Sequence, residues 1–138
     1  MVNQIFQISN DNLWNLINDH FGNGGGVYKI IAMSDNKPTA INRFIGIDTT
    51  GVLYIGKADS FVDRVITLKR SLLPDYTDTN HKVGKVYKEH PIIAAHFPLE
   101  NLYVDLQADD NPENLESILI DEYFKKYGEV PPLNANQS

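Results

Sequence analysis

Apolar and polar positions along the chain change period several times, and each change marks an element. Leu13, Trp14 and Ile17 fall on one side of a short helix that Ser9-Asn10-Asp11 can cap, and Gly22-Asn23-Gly24-Gly25-Gly26 stops it. Three strand-like runs follow, Val27 to Ala32, Ala40 to Ile47 and Val52 to Ile55, divided by Ser34-Asp35-Asn36-Lys37-Pro38 and by Asp48-Thr49-Thr50-Gly51. Together they predict an antiparallel meander. From Ser60 the period becomes helical: Phe61, Val65, Leu68 and Leu72 recur, the Ser60 hydroxyl stands ready to cap with Asp63 at the third helical position, and Pro74 closes the segment. A second helical stretch from Val83 to Glu89 ends before Pro91, and Leu102, Val104 and Leu106 then alternate with Tyr103, Asp105 and Gln107 as a strand with one wet face. Asn111 at the cap, Pro112 at the first position and Gly128 just past the end bracket a last helix, which carries Asp121 with Lys125 and Glu122 with Lys126 four residues apart. The pattern predicts an α+β domain, a small antiparallel (mixed) sheet flanked by helices.

Composition narrows the classes. A chain of 138 residues with 42% apolar and 10% aromatic content suits a single core. Without cysteine there is neither a disulfide framework nor thiolate chemistry, and no apolar run approaches the roughly 20 residues that cross a membrane, so the expectation is a soluble cytoplasmic protein with no membrane partner. Asn136-Gln137-Ser138 then reads as a tail and not as a glycosylation site. The net charge of −6 opposes general binding to phosphate backbones, but the charge is polarised: residues 57–90 hold seven bases against five acids, and residues 91–138 two bases against nine acids. A basic middle can still face nucleic acid, with weak and salt-sensitive affinity.

Glu116 draws attention next. In the last helix its three- and four-apart neighbours are Pro112, Glu113, Leu119 and Ile120, with Tyr123 and Tyr127 continuing the stripe, so one carboxylate interrupts a mostly apolar face. Such a carboxylate must be hydrogen-bonded, paired or cation-bound, or else bend toward water. The glycine run before Val27 has the wrong order for a phosphate cradle, since a strand follows it and no helix opens from it. His20, His90 and His96 share no spacing that suggests zinc.

Gly26-Val27-Tyr28 and Tyr54-Ile55-Gly56, followed by Arg64, His81, Glu116 and Asn134, resemble the motif set of the GIY-YIG nuclease family. Gly51-Val52-Leu53-Tyr54-Ile55-Gly56-Lys57-Ala58 with Ser60 and Arg64 is similar to the family's second motif, Asn80-His81-Lys82-Val83-Gly84 to its histidine segment, and Val130-Pro131-Pro132-Leu133-Asn134 to its ending. The resemblance covers residues 26–134 and implies a GIY-YIG endonuclease-like fold. Residues 1–25 would be a helix and glycine connector packed on that domain, and 135–138 a tail. The resemblance further implies a metal-dependent endonuclease that hydrolyses phosphodiester bonds, in DNA in preference to RNA. Glu116 would hold Mg²⁺ or Mn²⁺, Arg64 would stabilise the transferring phosphoryl group, and Tyr28 or Tyr54 would orient or deprotonate water. His81 would assist proton movement or bind phosphate, Asn134 would complete the catalytic set, and Gly56 and Lys57 would approach the substrate. A tyrosinate base near neutral pH needs neighbouring cations, because a free tyrosine titrates near 10. Tyr28 and Tyr54 are spaced more widely than in compact members, with Arg43, Phe44 and Ile45 in the added length, which reads as an extra strand. No base-reading motif is present, so recognition would rest on a protein partner, a homodimer or nucleic-acid shape. The competing class is a catalytically silent module of the same fold that binds nucleic acid or protein.

Overall fold

A computed structural model describes residues 4–73 and 81–134. Pro74 and the 135–138 tail lie outside the described residues. The chain runs β1 (Gln4–Gln7), α1 (Leu13–Phe21), β2 (Gly26–Ser34), β3 (Lys37–Pro38), β4 (Ile41–Asn42), β5 (Ile47–Asp48), β6 (Val52–Ala58), α2 (Phe61–Leu72), α3 (Lys82–Glu89), α4 (Pro91–His96), a 3₁₀ turn (Leu99–Asn101), β7 (Leu102–Ala108), α5 (Pro112–Tyr127) and a 3₁₀ turn (Pro132–Asn134). This is the α+β arrangement that the patterning predicts, a small antiparallel sheet with helices against it.

The sheet is ordered β1-β7-β2-β6, all neighbours antiparallel, and β3 pairs the far end of β2. β2 is central and reads Gly-Val-Tyr-Lys-Ile-Ile-Ala, an almost continuous apolar run, because both of its faces are covered. On one face Tyr28, Ile30, Tyr54, Val104 and Leu106 join Leu13 and Ile17 of α1, Phe61, Val65 and Leu68 of α2, and Val83 and Tyr87 of α3. On the other, Val27, Val52 and Ile55 meet Tyr123 and Tyr127 of α5. Burying one such side chain stabilises the fold by about 1.5 to 3 kcal/mol, so α1, α2, α3 and α5 are held by their apolar stripes.

Several expectations change. The strand expected from Ala40 to Ile47 is instead a hairpin of two-residue rungs, β4 and β5, outside the main sheet, with Ile41 opposite Asp48 and Asn42 opposite Ile47. Its turn closes by Arg43 N–H donating to the Gly46 carbonyl at 3.0 Å, with Gly46 at φ 75° in the region that favours glycine. The added length therefore does not separate β2 from β6, which pair directly. β6 runs three residues beyond Ile55. Ser60 occupies the cap position of α2 in extended conformation, but its hydroxyl makes no capping bond; α1 likewise starts without a side-chain cap, and Trp14 is exposed while Leu13 and Ile17 are buried. The N-terminal segment supplies an edge strand as well as a helix, since β1 pairs residue for residue with β7. Its glycines are tied down: the Gly24 carbonyl accepts from Phe61 N–H at 3.0 Å, and the Gly25 carbonyl from Asp109 N–H at 3.2 Å. A Cβ on Gly25 or Gly26 would overlap the carbonyls of Ala58 or Gln107, so close backbone approach explains this part of the run.

Candidate active site

The direct pairing of β2 with β6 sets Tyr28 opposite Gly56 and Ile30 opposite Tyr54. Residues two apart on a strand share a face, so both tyrosines point to the α2 and α3 side. Their ring centroids lie 5.9 Å apart, and His81 completes a triangle at 6.1 Å from Tyr28 and 5.8 Å from Tyr54. Gly56 makes room for this triangle. A Cβ there would sit 2.6 Å from Cε2 of Tyr54 and 2.8 Å from both Cζ and the hydroxyl of Tyr28.

His81 caps α3. Its Nδ1 accepts a hydrogen bond from Val83 N–H at 3.2 Å, and its Nε2 stands 2.6 Å from the Tyr28 hydroxyl. An amide N–H can only donate, so Nδ1 carries the lone pair and a neutral ring must hold its proton on Nε2. His81 therefore donates to the Tyr28 oxygen. Burial, with the Arg64 charge adding to it, pushes His81 down to about 3, which keeps the ring neutral through the physiological range. Burial likewise raises Tyr28 above its ordinary value, and Tyr54 raises it further. The Arg64 guanidinium opposes both by its charge and by a hydrogen bond to the same oxygen. Arg64 reaches Tyr28 from the first turn of α2, where its N–H bonds to the Ser60 carbonyl at 3.1 Å. The α2–α3 contact that carries His81 to this point depends on Gly84, whose added Cβ would overlap the buried Ser71 side chain.

Beside the triangle lies an open depression of about 330 Å³ lined by Lys57, Ala58, Asp59, Ser60, Asp63, Arg64 and Thr67. Two cations, a buried hydroxyl without a hydrogen-bond partner and two carboxylates meet there. Arg64 and Lys57 thus gather at one place, with Tyr28 in reach of Arg64 and Gly56 against the Tyr28 and Tyr54 rings.

Glu116 and Asn134 reach β6 along its outer edge. The Asn134 amide is wholly engaged: Oδ1 accepts from Ile55 N–H at 2.9 Å and Nδ2 donates to the Ile55 carbonyl at 3.0 Å. Buried and doubly bonded, Asn134 positions the strand between Tyr54 and Gly56. Glu116 is half-buried, and its carboxylate takes the backbone N–H of Lys57. Burial raises its pKa, the Lys57 charge lowers it, and Glu113, itself 3.9 Å from the Lys57 ammonium, raises it again. A half-desolvated carboxylate whose pKa is raised is one that a cation would recharge. Among the described residues no three His, Asp or Glu side chains form a cage, so a divalent cation held here would have Glu116 as its protein ligand and waters for the rest, as Mg²⁺ accepts.

Sequence reasoning missed Asp48. It is fully buried on the opposite side of β6 and accepts from Thr50 N–H and Oγ1, Val52 N–H and the Tyr123 hydroxyl. Burial pushes its pKa up, but these bonds outweigh burial and leave it lowered. The Asp48-Thr49-Thr50-Gly51 turn signal pointed to this position without revealing that Tyr123 would close it. Among the described residues, no helix is long and apolar enough to cross a membrane. No protein-family model matches the chain, and no curated protein or solved structure matches it.

Proposed function

We propose that the protein is a metal-dependent nuclease of the GIY-YIG type that hydrolyses phosphodiester bonds, in DNA in preference to RNA. The observation that carries this reading is the convergence of two donors, His81 Nε2–H and the Arg64 guanidinium, on one tyrosine oxygen beside a depression that holds Lys57. A core tyrosine needs one hydrogen-bond partner, and a second, cationic donor at the mouth of an open depression has no structural requirement. The two donors stabilise charge on that oxygen, as a tyrosinate base requires, and they work against the burial and the Tyr54 contact that leave Tyr28 raised above its ordinary value.

In this reading a phosphate lies in the depression, gripped by Arg64 with help from Lys57 and the unpartnered Ser60 hydroxyl. Tyr28 would act as base only from its phenolate, whose negative charge the His81 N–H and the Arg64 guanidinium offset; taking the proton of the attacking water returns it to the neutral phenol. Tyr54 packs against both rings and fixes their geometry. Asn134 and Gly56 position β6 so that the rings meet. A divalent cation at Glu116, Mg²⁺ or Mn²⁺, would supply charge that offsets the phosphate's and eases departure of the leaving oxygen.

The test is cleavage of supercoiled, branched and single-stranded DNA and of RNA at low salt, with Mg²⁺ or Mn²⁺ against EDTA. Wild type, Glu116→Ala and Tyr28→Phe are run in parallel. Metal-dependent cutting that both substitutions reduce by at least about a hundredfold is expected, the scale of losing one general base or one electrostatic stabiliser. Absence of cutting by folded wild type with metal would replace this reading with a silent binding module.

A further inference from the structure

The β4–β5 hairpin has no part in the candidate active site, yet it is firmly held. Arg43 forms an ion pair with Glu129 at 2.9 Å, with the Arg43 side chain only 8% exposed, and donates to the Val130 carbonyl at 2.8 Å. Phe44 N–H donates to the Glu129 carboxylate, and Ile45 N–H to the Tyr127 carbonyl at 2.8 Å. These bonds fix a turn whose side chains face water: Phe44 is 81% exposed and Ile45 55%. Alongside, on α5, Phe124 is 51% exposed and Ile118 45%. A mobile apolar tip would be unremarkable. One held by a half-buried ion pair and three backbone bonds has its ordering entropy already spent, which is how a binding surface is built.

We infer that this surface pairs two copies of the chain about a two-fold axis, α5 against α5 of the second copy in antiparallel. Ser117, Ile118, Asp121, Phe124 and Lys125 recur at helical spacing and are all exposed, so they form one outward face. Asp121 and Lys125 already pair at 2.9 Å within one copy. An axis at the level of Tyr123 sets Asp121 opposite Lys125 of the second copy, and the pairs become a four-charge network. The same axis sets Ile118 opposite Gly128, where the Phe44 and Ile45 side chains pack: a Cβ on Gly128 would lie 3.0 Å from Phe44 and 2.9 Å from Ile45. One axis thus matches charge with charge and apolar with apolar, which is the self-complementarity a two-fold contact needs.

The area agrees with a reversible dimer. Four large side chains about half to four-fifths exposed offer on the order of 500 Å² per copy. Two copies then bury about 1,000 Å², the lower bound for a specific contact.

Sedimentation equilibrium of the whole chain tests this. Wild type should be dimeric at high micromolar concentration and dissociate on dilution. Phe44→Asp and Ile118→Asp, on different elements, should each weaken the dimer at least tenfold, with far-UV circular dichroism unchanged because both side chains are exposed. Asp121→Lys and Lys125→Asp should each weaken it, and the double swap should restore it, since reversal of both signs preserves the match across the axis. A wild type that stays monomeric, a dimer indifferent to Phe44→Asp, or a double swap no stronger than the single variants would overturn the inference. So would a monomer in which Phe44→Asp weakens oligonucleotide binding, which would give the surface to nucleic acid.

Discussion

Acidification should unfold this protein through His81. The ring is fully buried, its Nδ1 is occupied by Val83 N–H and its Nε2–H by Tyr28, so the folded state keeps it neutral down to about pH 3, whereas the unfolded chain takes up the proton near 6.5. A depressed folded-state pKa means that the unfolded state binds the extra proton. The stability from this group is therefore complete above 6.5 and is lost as the pH falls toward 3. The loss approaches about 1.4 kcal/mol per pH unit inside that window, and integrates to roughly 2.5 kcal/mol between about pH 7 and pH 4.5. That is a large share of the 5 to 15 kcal/mol typical of a domain. Urea unfolding at a series of pH values measures it, with His81→Gln as reference, because a glutamine can accept from Val83 and donate to Tyr28 without titrating. Lowered Asp48 and raised Glu116 titrate in both proteins and cancel in the difference. Equal pH slopes for wild type and His81→Gln would refute the assignment of a neutral, donating His81.

Other substitutions probe the parts that surround it. Asn134→Ala leaves the Ile55 N–H and carbonyl without their partners and should cost about 2 to 4 kcal/mol; a loss below about 1 kcal/mol in thermal unfolding would mean that water replaces the amide. Gly56→Ala drives a Cβ into two packed tyrosine rings and should cost about 1 to 3 kcal/mol while altering the near-UV spectrum, and an unchanged spectrum would show that the rings move freely. Gly84→Ala meets the buried Ser71 side chain and should destabilise by a similar amount, about 1 to 3 kcal/mol. It should also slow any cleavage by shifting α3 and His81, so full activity in a destabilised variant would separate packing from position.

Elements with a strong period and clear ends were legible in the chain: α2 through Phe61, Val65, Leu68 and Leu72, α5 through Pro112 and Gly128, and β7 through its alternation. Phe44, Ile45 and Ile47 misled because strand propensity reports side-chain shape and not burial, and all three are exposed in a hairpin. β1 is four residues long, and α4 six, too short for a period to show. Ser60 has the right residue at the right place and still does not cap, which no residue pattern announces. At the site, the gathering of Tyr28, Tyr54, His81 and Arg64 follows the motif order. The bonds of Asn134 to a residue 79 positions away, and of Glu116 to the Lys57 backbone, depend on how the C-terminal segment returns, which no local pattern encodes.

Among the described residues no strand pairs the outer side of β6, yet amides on that side are engaged by side chains, Asn134 at Ile55 and Glu116 at Lys57. Bare sheet edges recruit other chains. Here the guard against that recruitment comes from two residues far along the chain, so a proteolytic cut just before Asn134 would uncover the backbone of a strand as apolar as Val52-Leu53-Tyr54-Ile55. Asn134 thus acts as a stopper on the strand edge, and its removal would expose that edge to pairing with other chains.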